Sequence, residues 1–280
     1  MTLDLETITA QLTGRYGKAA ARWVPKLPDR LAELGSLWDL EIGEELRPGY
    51  GSVLLRCATP QGPAVLKLAP DAFSLAEQAR MLRQLAPSGR VPGVLAESKG
   101  AVLLEAVPGT IIEELPEPPP AEEYAAFLAE LHGAGDPAAA PRRMADWLEA
   151  HFVHAAAHGG DVTEARAIAA ELTATIADKD VVLLHGDLHF GNILRAGSRG
   201  LVALSPKACV GDRHFDAIDY VMEGFTLDEM SRRREALAAT AGLNPERIKA
   251  WCRMTAPMSA TLVVDPVHKD TLLAVARGEG

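Results

Sequence analysis

The stretch from Val181 to Leu194 (VVLLHGDLHFGNIL) constrains this chain more than any other. Its four leading apolar residues read as a short buried strand that delivers the chain into a tight turn. Within the turn, Asp187 can accept a proton from a hydroxyl. Five residues later the Asn192 amide oxygen can ligate a divalent cation, and the apolar pair Ile193 and Leu194 resumes the chain.

Two simpler readings compete. His185 and His189 stand four apart, the spacing of zinc ligands on a helix, but Gly186 and Asp187 fill the inner positions and a strand leads in. A polar surface loop is the other. Against both, the order and spacing of Asp187 and Asn192 match the catalytic loop of phosphoryl-transfer enzymes, with Gly186 where protein kinases have Arg. The rest of the chain must then supply a phosphate ligand, a nucleotide edge and further metal ligation.

A phosphate ligand is available. Ala64 to Leu68 is a strand with a single Lys67 inside an apolar run, where an ammonium needs a partner. Ser74 to Leu82 reads as a helix with Ser74 as N-cap, so Glu77 either closes the capping box or pairs with Lys67; the pair is favoured because Lys67 needs a carboxylate. Between two earlier strands, Trp38 to Ile42 and Val53 to Cys57, the turn carrying Gly49 and Gly51 is an ordinary hairpin or a loop whose amides approach phosphates. Val91 to Val94 and Ala101 to Glu105 read as the last strands of the N-terminal part, followed by a turn at Ala106 to Gly109.

Residues 4–35 read as helical, broken at Pro25 and Pro28. Beyond an acidic, Pro-rich segment at 113–120, helices follow: one with Tyr124, Phe127, Leu128 and Leu131 on one face, a second with Met144, Trp147, Leu148 and Phe152, a third capped by Asp161 and Glu164. Histidines 151, 154 and 158 gather on the second. Near the C-terminus, Thr226 with Glu229, Gly242, and Asn244 with Pro245 punctuate two more helices.

Composition narrows the partners. A net charge of −10 argues against a nucleic-acid backbone and suits a cationic small molecule, although solubility alone explains an acidic surface. Three scattered cysteines, Cys57, Cys209 and Cys252, suggest neither a disulfide framework nor a zinc site. There is no signal-like start and no apolar run of membrane-spanning length, so the reading is cytoplasmic, with no membrane partner.

Trp38, the Pro48-Gly49-Tyr50 loop, Leu66 to Leu68, His185 to Asn192, and Pro206-Lys207 to Gly211-Asp212 occur in that order. Together they resemble the aminoglycoside/hydroxyurea antibiotic-resistance kinase family, over about residues 20–225. The resemblance implies an α+β, bilobal protein-kinase-like fold: a small N-terminal lobe with an antiparallel sheet (1–104), a hinge about 105–109, and a larger, mainly helical lobe (105–280). It implies ATP and Mg²⁺ as cofactors and γ-phosphoryl transfer to a hydroxyl of a small, cationic, aminoglycoside-type acceptor. In those terms Asp187 is the catalytic base, Asn192 a metal ligand and Lys67 the phosphate ligand held by Glu77. Gly49 and Gly51 belong to the phosphate loop, Glu105 and Val107 meet the adenine through their backbone, and Asp212 and Asp216 order the region after the metal site. One position departs: the family's metal-binding Asp before Pro-Lys is Ser205 here, a neutral and weaker ligand. A nucleotide- or small-molecule-binding pseudokinase is therefore the alternative.

Overall fold

The computed structural model describes residues 3–46, 51–157 and 160–280. They group into two compact units, Met1–Arg83 with Pro92–Pro108, and Gln84–Val91 with Gly109–Gly280.

The first unit opens with helices α1 (Leu5–Tyr16), α2 (Lys18–Trp23) and α3 (Leu27–Trp38). Strands β1 (Glu41–Glu45), β2 (Val53–Thr59) and β3 (Gly62–Leu68) follow, then helix α4 (Ala72–Leu85) and strands β4 (Val94–Ser98) and β5 (Ala101–Glu105). The strands form one antiparallel sheet in the order β1-β2-β3-β5-β4. Alternate residues Val53, Leu55 and Cys57, then Ala64, Leu66 and Leu68, then Ala101 and Leu103, share one face and bury against Ile8, Leu12, Leu27, Leu31 and Leu34 of the helices. Each fully buried Leu contributes about 1.5–3 kcal/mol. Lys67 falls on the opposite face, where its ammonium reaches Gln78 of α4.

Three local readings change. The first helical stretch breaks at Gly17, which adopts φ +51, and at a 3-10 turn over Val24–Lys26; Pro25 and Pro28 lie in the first turns of new segments, where a missing N–H costs nothing. Trp38 ends α3 rather than starting a strand, because Asp39 closes the helix in the left-handed region at φ 50. Asp71, not Ser74, caps α4: its carboxylate accepts from the Ser74 N–H at 3.0 Å and the Ser74 hydroxyl at 2.6 Å. Glu77 is therefore outside any capping box.

The second unit contains β6 (Thr110–Ile111), α5 (Ala121–Ala134), α6 (Met144–Ala157), α7 (Thr163–Ala174), β7 (Val181–Leu184), β8 (Ile193–Arg195), β9 (Leu201–Ala203) and β10 (Cys209–Asp212). Helices α8 (Ile218–Met222), α9 (Leu227–Ala241), α10 (Pro245–Ser259) and α11 (Pro266–Ala276) complete it. Its sheets are small: β10-β7 and β6-β8-β9. The apolar faces expected on α5 and α6 are buried, and Phe215 packs edge-on to both Trp147 and Trp251 with ring centres 5.4 Å apart. Thr226 and Asn244 cap α9 and α10, and Gly242 ends α9 in the left-handed region. All three cysteines are buried and free. No helix among the described residues is long and apolar enough to cross a membrane.

Candidate active site

Antiparallel pairing of β7 with β10, Leu184 opposite Cys209, sets the entry to the Asp187 loop. Directly after β7, the chain turns at Gly186 with φ +77. A Cβ there would sit 2.9 Å from the Lys207 carbonyl oxygen, so both the backbone conformation and the close approach require glycine. The Lys207 N–H in turn donates to the His185 carbonyl at 2.9 Å. Asp216 holds the same turn from beneath: its two oxygens accept from the His185 and Gly186 N–H groups, each at 2.9 Å, and one also meets His132 Nε2 at 2.9 Å. Burial would raise the Asp216 pKa, but the His132 hydrogen bond and charge, with the amides, hold it below the usual carboxylate range.

Asp187 is thereby presented half-buried, with each carboxylate oxygen engaged. Oδ2 accepts from Asn192 Nδ2 at 2.8 Å, and Oδ1 meets the Lys207 ammonium at 2.9 Å. His189 Nε2 stands 4.0 Å from Oδ2. The Asn192 amide also donates to the Asp187 carbonyl at 3.1 Å, which leaves its oxygen as the atom for a cation. Beside it, the Leu204 N–H donates to the Asn192 carbonyl at 2.8 Å, bringing Ser205 next to Asn192. Ser205 adopts φ +58, a left-handed conformation in which Asp or Asn is favoured over other non-glycine residues. An amide oxygen and a hydroxyl suit Mg²⁺, which keeps waters and takes much of its ligation from phosphates. No cluster of three His, Cys, Asp or Glu side chains among the described residues could hold a metal.

More acids stand behind the loop. The Asp219 carboxylate lies beside the Leu188 N–H, and Glu223 accepts from the Phe190 N–H at 3.3 Å. Burial first, then the Asp187, Glu223 and Asp216 charges, pushes the Asp219 pKa up to about 8. Glu223 is raised too, chiefly by burial. His185 is fully buried, which lowers its pKa to about 4 and keeps it neutral at pH 7. Residues 185–189 form a turn and not a helix, so the four-residue spacing of His185 and His189 does not set them on one helix face. Asp212 lies apart from the loop, with the Arg247 guanidinium on one oxygen, Trp251 Nε1 at 2.7 Å and His214 Nδ1 at 2.6 Å.

The remaining expected residues lie in the first unit. Lys67 is buried, and its ammonium meets Gln78 Oε1 at 2.6 Å, with half-buried Glu77 the preceding residue on α4. The Gly51 carbonyl accepts from the Tyr16 hydroxyl at 2.9 Å, while Gly49 lies outside the described residues. The Glu105 N–H is spent on the Gly93 carbonyl at 2.8 Å and its side chain on the Gly93 N–H at 3.0 Å. Val107 is half-buried on the extended stretch after β5. Local sequence patterns give no sign of Gln78 or His132, or of the contact from Lys207 to Asp187. The one available signal was the position of Lys207 after Pro206.

Residues 38–266 match the family described as aminoglycoside/hydroxyurea antibiotic resistance kinase. A hydroxyurea phosphotransferase from Kitasatospora aureofaciens is 32% identical over 264 residues, covering 89% of this chain and 76% of that protein. A streptomycin 3''-kinase from Klebsiella pneumoniae is 31% identical, covering 76% of this chain and 85% of that one. Among solved structures, a thermostable mutant of aminoglycoside phosphotransferase APH(4)-Ia, in ternary complex with ADP and hygromycin B, superposes with a TM-score of 0.61. It is 15% identical and covers 88% of this chain and 97% of its own; at that identity the likeness speaks for the fold alone.

Proposed function

The chain belongs to the aminoglycoside/hydroxyurea antibiotic resistance kinase family, and on that basis we propose that it moves the γ-phosphoryl group of ATP onto a hydroxyl of a small, cationic, aminoglycoside-type acceptor in the cytoplasm. The observation that carries this reading is the Asp187 carboxylate, presented on an anchored turn and held between the Asn192 amide and the Lys207 ammonium. Because phosphoryl transfer passes through a loose transition state, the protein contributes chiefly positioning and charge. Asp187 orients the acceptor hydroxyl and takes its proton as the new O–P bond forms. Asp216 and Gly186 fix the turn that aims Asp187, and Lys207 adds a cation where phosphate charge gathers.

Lys67 would hold the nucleotide phosphates, with the loop through Gly49 and Gly51, and the backbone of Glu105 and Val107 would meet the adenine. Asn192 Oδ1 and the Ser205 hydroxyl would hold Mg²⁺, which when bound neutralises phosphate charge. The test is ATP consumption with streptomycin and with hydroxyurea, comparing wild type with Asp187→Ala. Acceptor-dependent turnover should fall by about 10²–10⁴-fold in the variant. A wild type that binds nucleotide but turns over neither acceptor would instead be a catalytically silent member of the fold.

A further inference from the structure

Gly51, which leads into β2, is held by the end of helix α1. Its carbonyl accepts from the half-buried Tyr16 hydroxyl at 2.9 Å. Arg15 lies against its Cα: a Cβ at Gly51 would stand 2.9 Å from Arg15 Cδ, 3.0 Å from Nη1 and 3.1 Å from Nε. Glycine leaves room for that approach. The Arg15 guanidinium also lies over the Tyr16 ring, 5.5 Å from its centre. The Leu46 N–H closes the base of the same hairpin by donating to the Leu54 carbonyl at 2.8 Å.

These contacts gather at the end of the sheet that carries Lys67. Val53 pairs with Leu68 and Leu54 with Lys67, so Gly51 lies just beyond that end. The chain leaves β3 there and reaches Asp71, the cap of α4. Burial would raise the Asp71 pKa, but the Ser74 hydrogen bonds and the Phe73 amide, with the Arg15 charge, hold it below the usual carboxylate range. Arg15 thus acts on both Gly51 and Asp71, and α4 in turn sets Gln78 against the Lys67 ammonium at 2.6 Å. Val53 and Leu55 face α1 and α3, whereas Lys67 points from the opposite face. Arg15 and Tyr16 therefore stand behind Gly51, out of the path of anything that Lys67 holds.

We propose that Tyr16 and Arg15 are positioning residues for the nucleotide: from α1 they fix Gly51, so that this end of the phosphate loop is preformed when nucleotide arrives. This rests on the phosphotransferase reading and deepens it, because it gives the helical layer over the sheet a part in nucleotide binding. Glycine has the most backbone freedom to lose, so a glycine ordered only by the arriving phosphates would subtract its ordering from the binding energy. A glycine already fixed lowers that cost. Burial raises the Tyr16 pKa, against the Arg15 charge, so the hydroxyl stays protonated and a donor at neutral pH.

The test compares a non-hydrolysable ATP analogue with adenosine, which carries the base and no phosphate. Calorimetry gives the affinity for the analogue, and competition against it gives that for adenosine. The variants are Tyr16→Phe and Arg15→Gln, with exposed Arg22→Gln on α2 as the control. Arg15 is itself exposed, so its variant tests the clamp even where Tyr16→Phe folds poorly. Each clamp variant should weaken the analogue about 3- to 10-fold while adenosine stays within about twofold, and Arg22→Gln should change neither. In turnover the loss should fall on KM for ATP, with kcat and KM for the acceptor held. Analogue affinity unchanged in both clamp variants overturns the proposal. So does an equal weakening of analogue and adenosine, which would mark a general loosening of the first unit. A wild type that binds the analogue but turns over no acceptor, with these ratios intact, would sink the phosphotransferase reading and leave the clamp standing; a wild type that binds no nucleotide would end both.

Discussion

Two regions on one short segment, residues 209–223, treat buried acid in opposite ways. At the end of β10, Asp212 is fully buried, yet every group around it compensates: Arg247, Trp251, and His214 through both ring and backbone. Burial alone would raise its pKa, but these partners bring it down to about 2. Seven residues on, Asp219 has the Leu188 amide beside it and three carboxylates for neighbours, and its pKa rises to about 8. Burial raises both, so the sign of the surrounding charge is what separates them. Asp212 is explained by α10, which it fastens through Arg247 and Trp251. Asp219 has no such structural account.

The sharpest way to break this contrast is Asp212→Ala. Removing the carboxylate leaves Arg247 Nε and the Trp251 N–H without their acceptor, while the other Arg247 nitrogens keep the Thr175 hydroxyl and the Leu172 carbonyl. We expect a loss of about 3–5 kcal/mol, which lowers the thermal midpoint by about 10 °C or more. Streptomycin affinity of the folded protein, measured well below that midpoint, should stay within about twofold. A small thermal effect would place Asp212 in the same class as Asp219.

The opposite substitution outcome is expected at Asp219. Its folded pKa of about 8 lies above an unfolded value of roughly 3.9, so the folded state holds the extra proton between them. Stability must then fall as pH rises through that window, and the full cost is present above pH 8. Asp219→Asn removes the titration while keeping the shape. Thermal denaturation across pH 4 to 9 should show the variant close to wild type near pH 4 and about 5 °C more stable above pH 8. A variant less stable than wild type at pH 8.5 would mean that Asp219 has a cationic partner and belongs with Asp212.

The sequence disclosed the elements of this site better than the contacts between them. The strand, turn, Asp and Asn of the loop lie within 14 consecutive residues, so their order alone carries the reading. Lys67 stood out because a lysine in an apolar strand demands explanation. By contrast, His132 meets Asp216 across 84 residues and Arg247 meets Asp212 across 35, and neither pair leaves a periodic trace. Two misreadings were local. Residues 38–42 alternate apolar and polar as a strand would, yet Leu31, Leu34 and Trp38 also fit a helix, and left-handed Asp39 decides for the helix. On α4, Ser74 has the right residue type for a cap, but Asp71 lies three residues earlier and a carboxylate accepts from the orphan amide more strongly.

The smallest expected change comes from adding an acid to the uncompensated region. Ser205 holds φ +58, a conformation that aspartate tolerates at least as well as serine, so Ser205→Asp should leave the stability of the metal-free protein within about 0.5 kcal/mol. Any cost arises from one more negative charge near Asp187 and Asn192, and Mg²⁺ with nucleotide should reverse it, because a carboxylate is the harder and stronger oxygen ligand. Thermal midpoints with and without Mg²⁺-nucleotide separate the two contributions: the stabilisation gained on adding Mg²⁺-nucleotide should be larger in the variant than in wild type. Turnover with the same acceptor should then rise about tenfold, equivalent to about 1.4 kcal/mol in the barrier. A variant destabilised equally with and without metal would show that position 205 faces only the acids around Asp187, and that the cation is held without it.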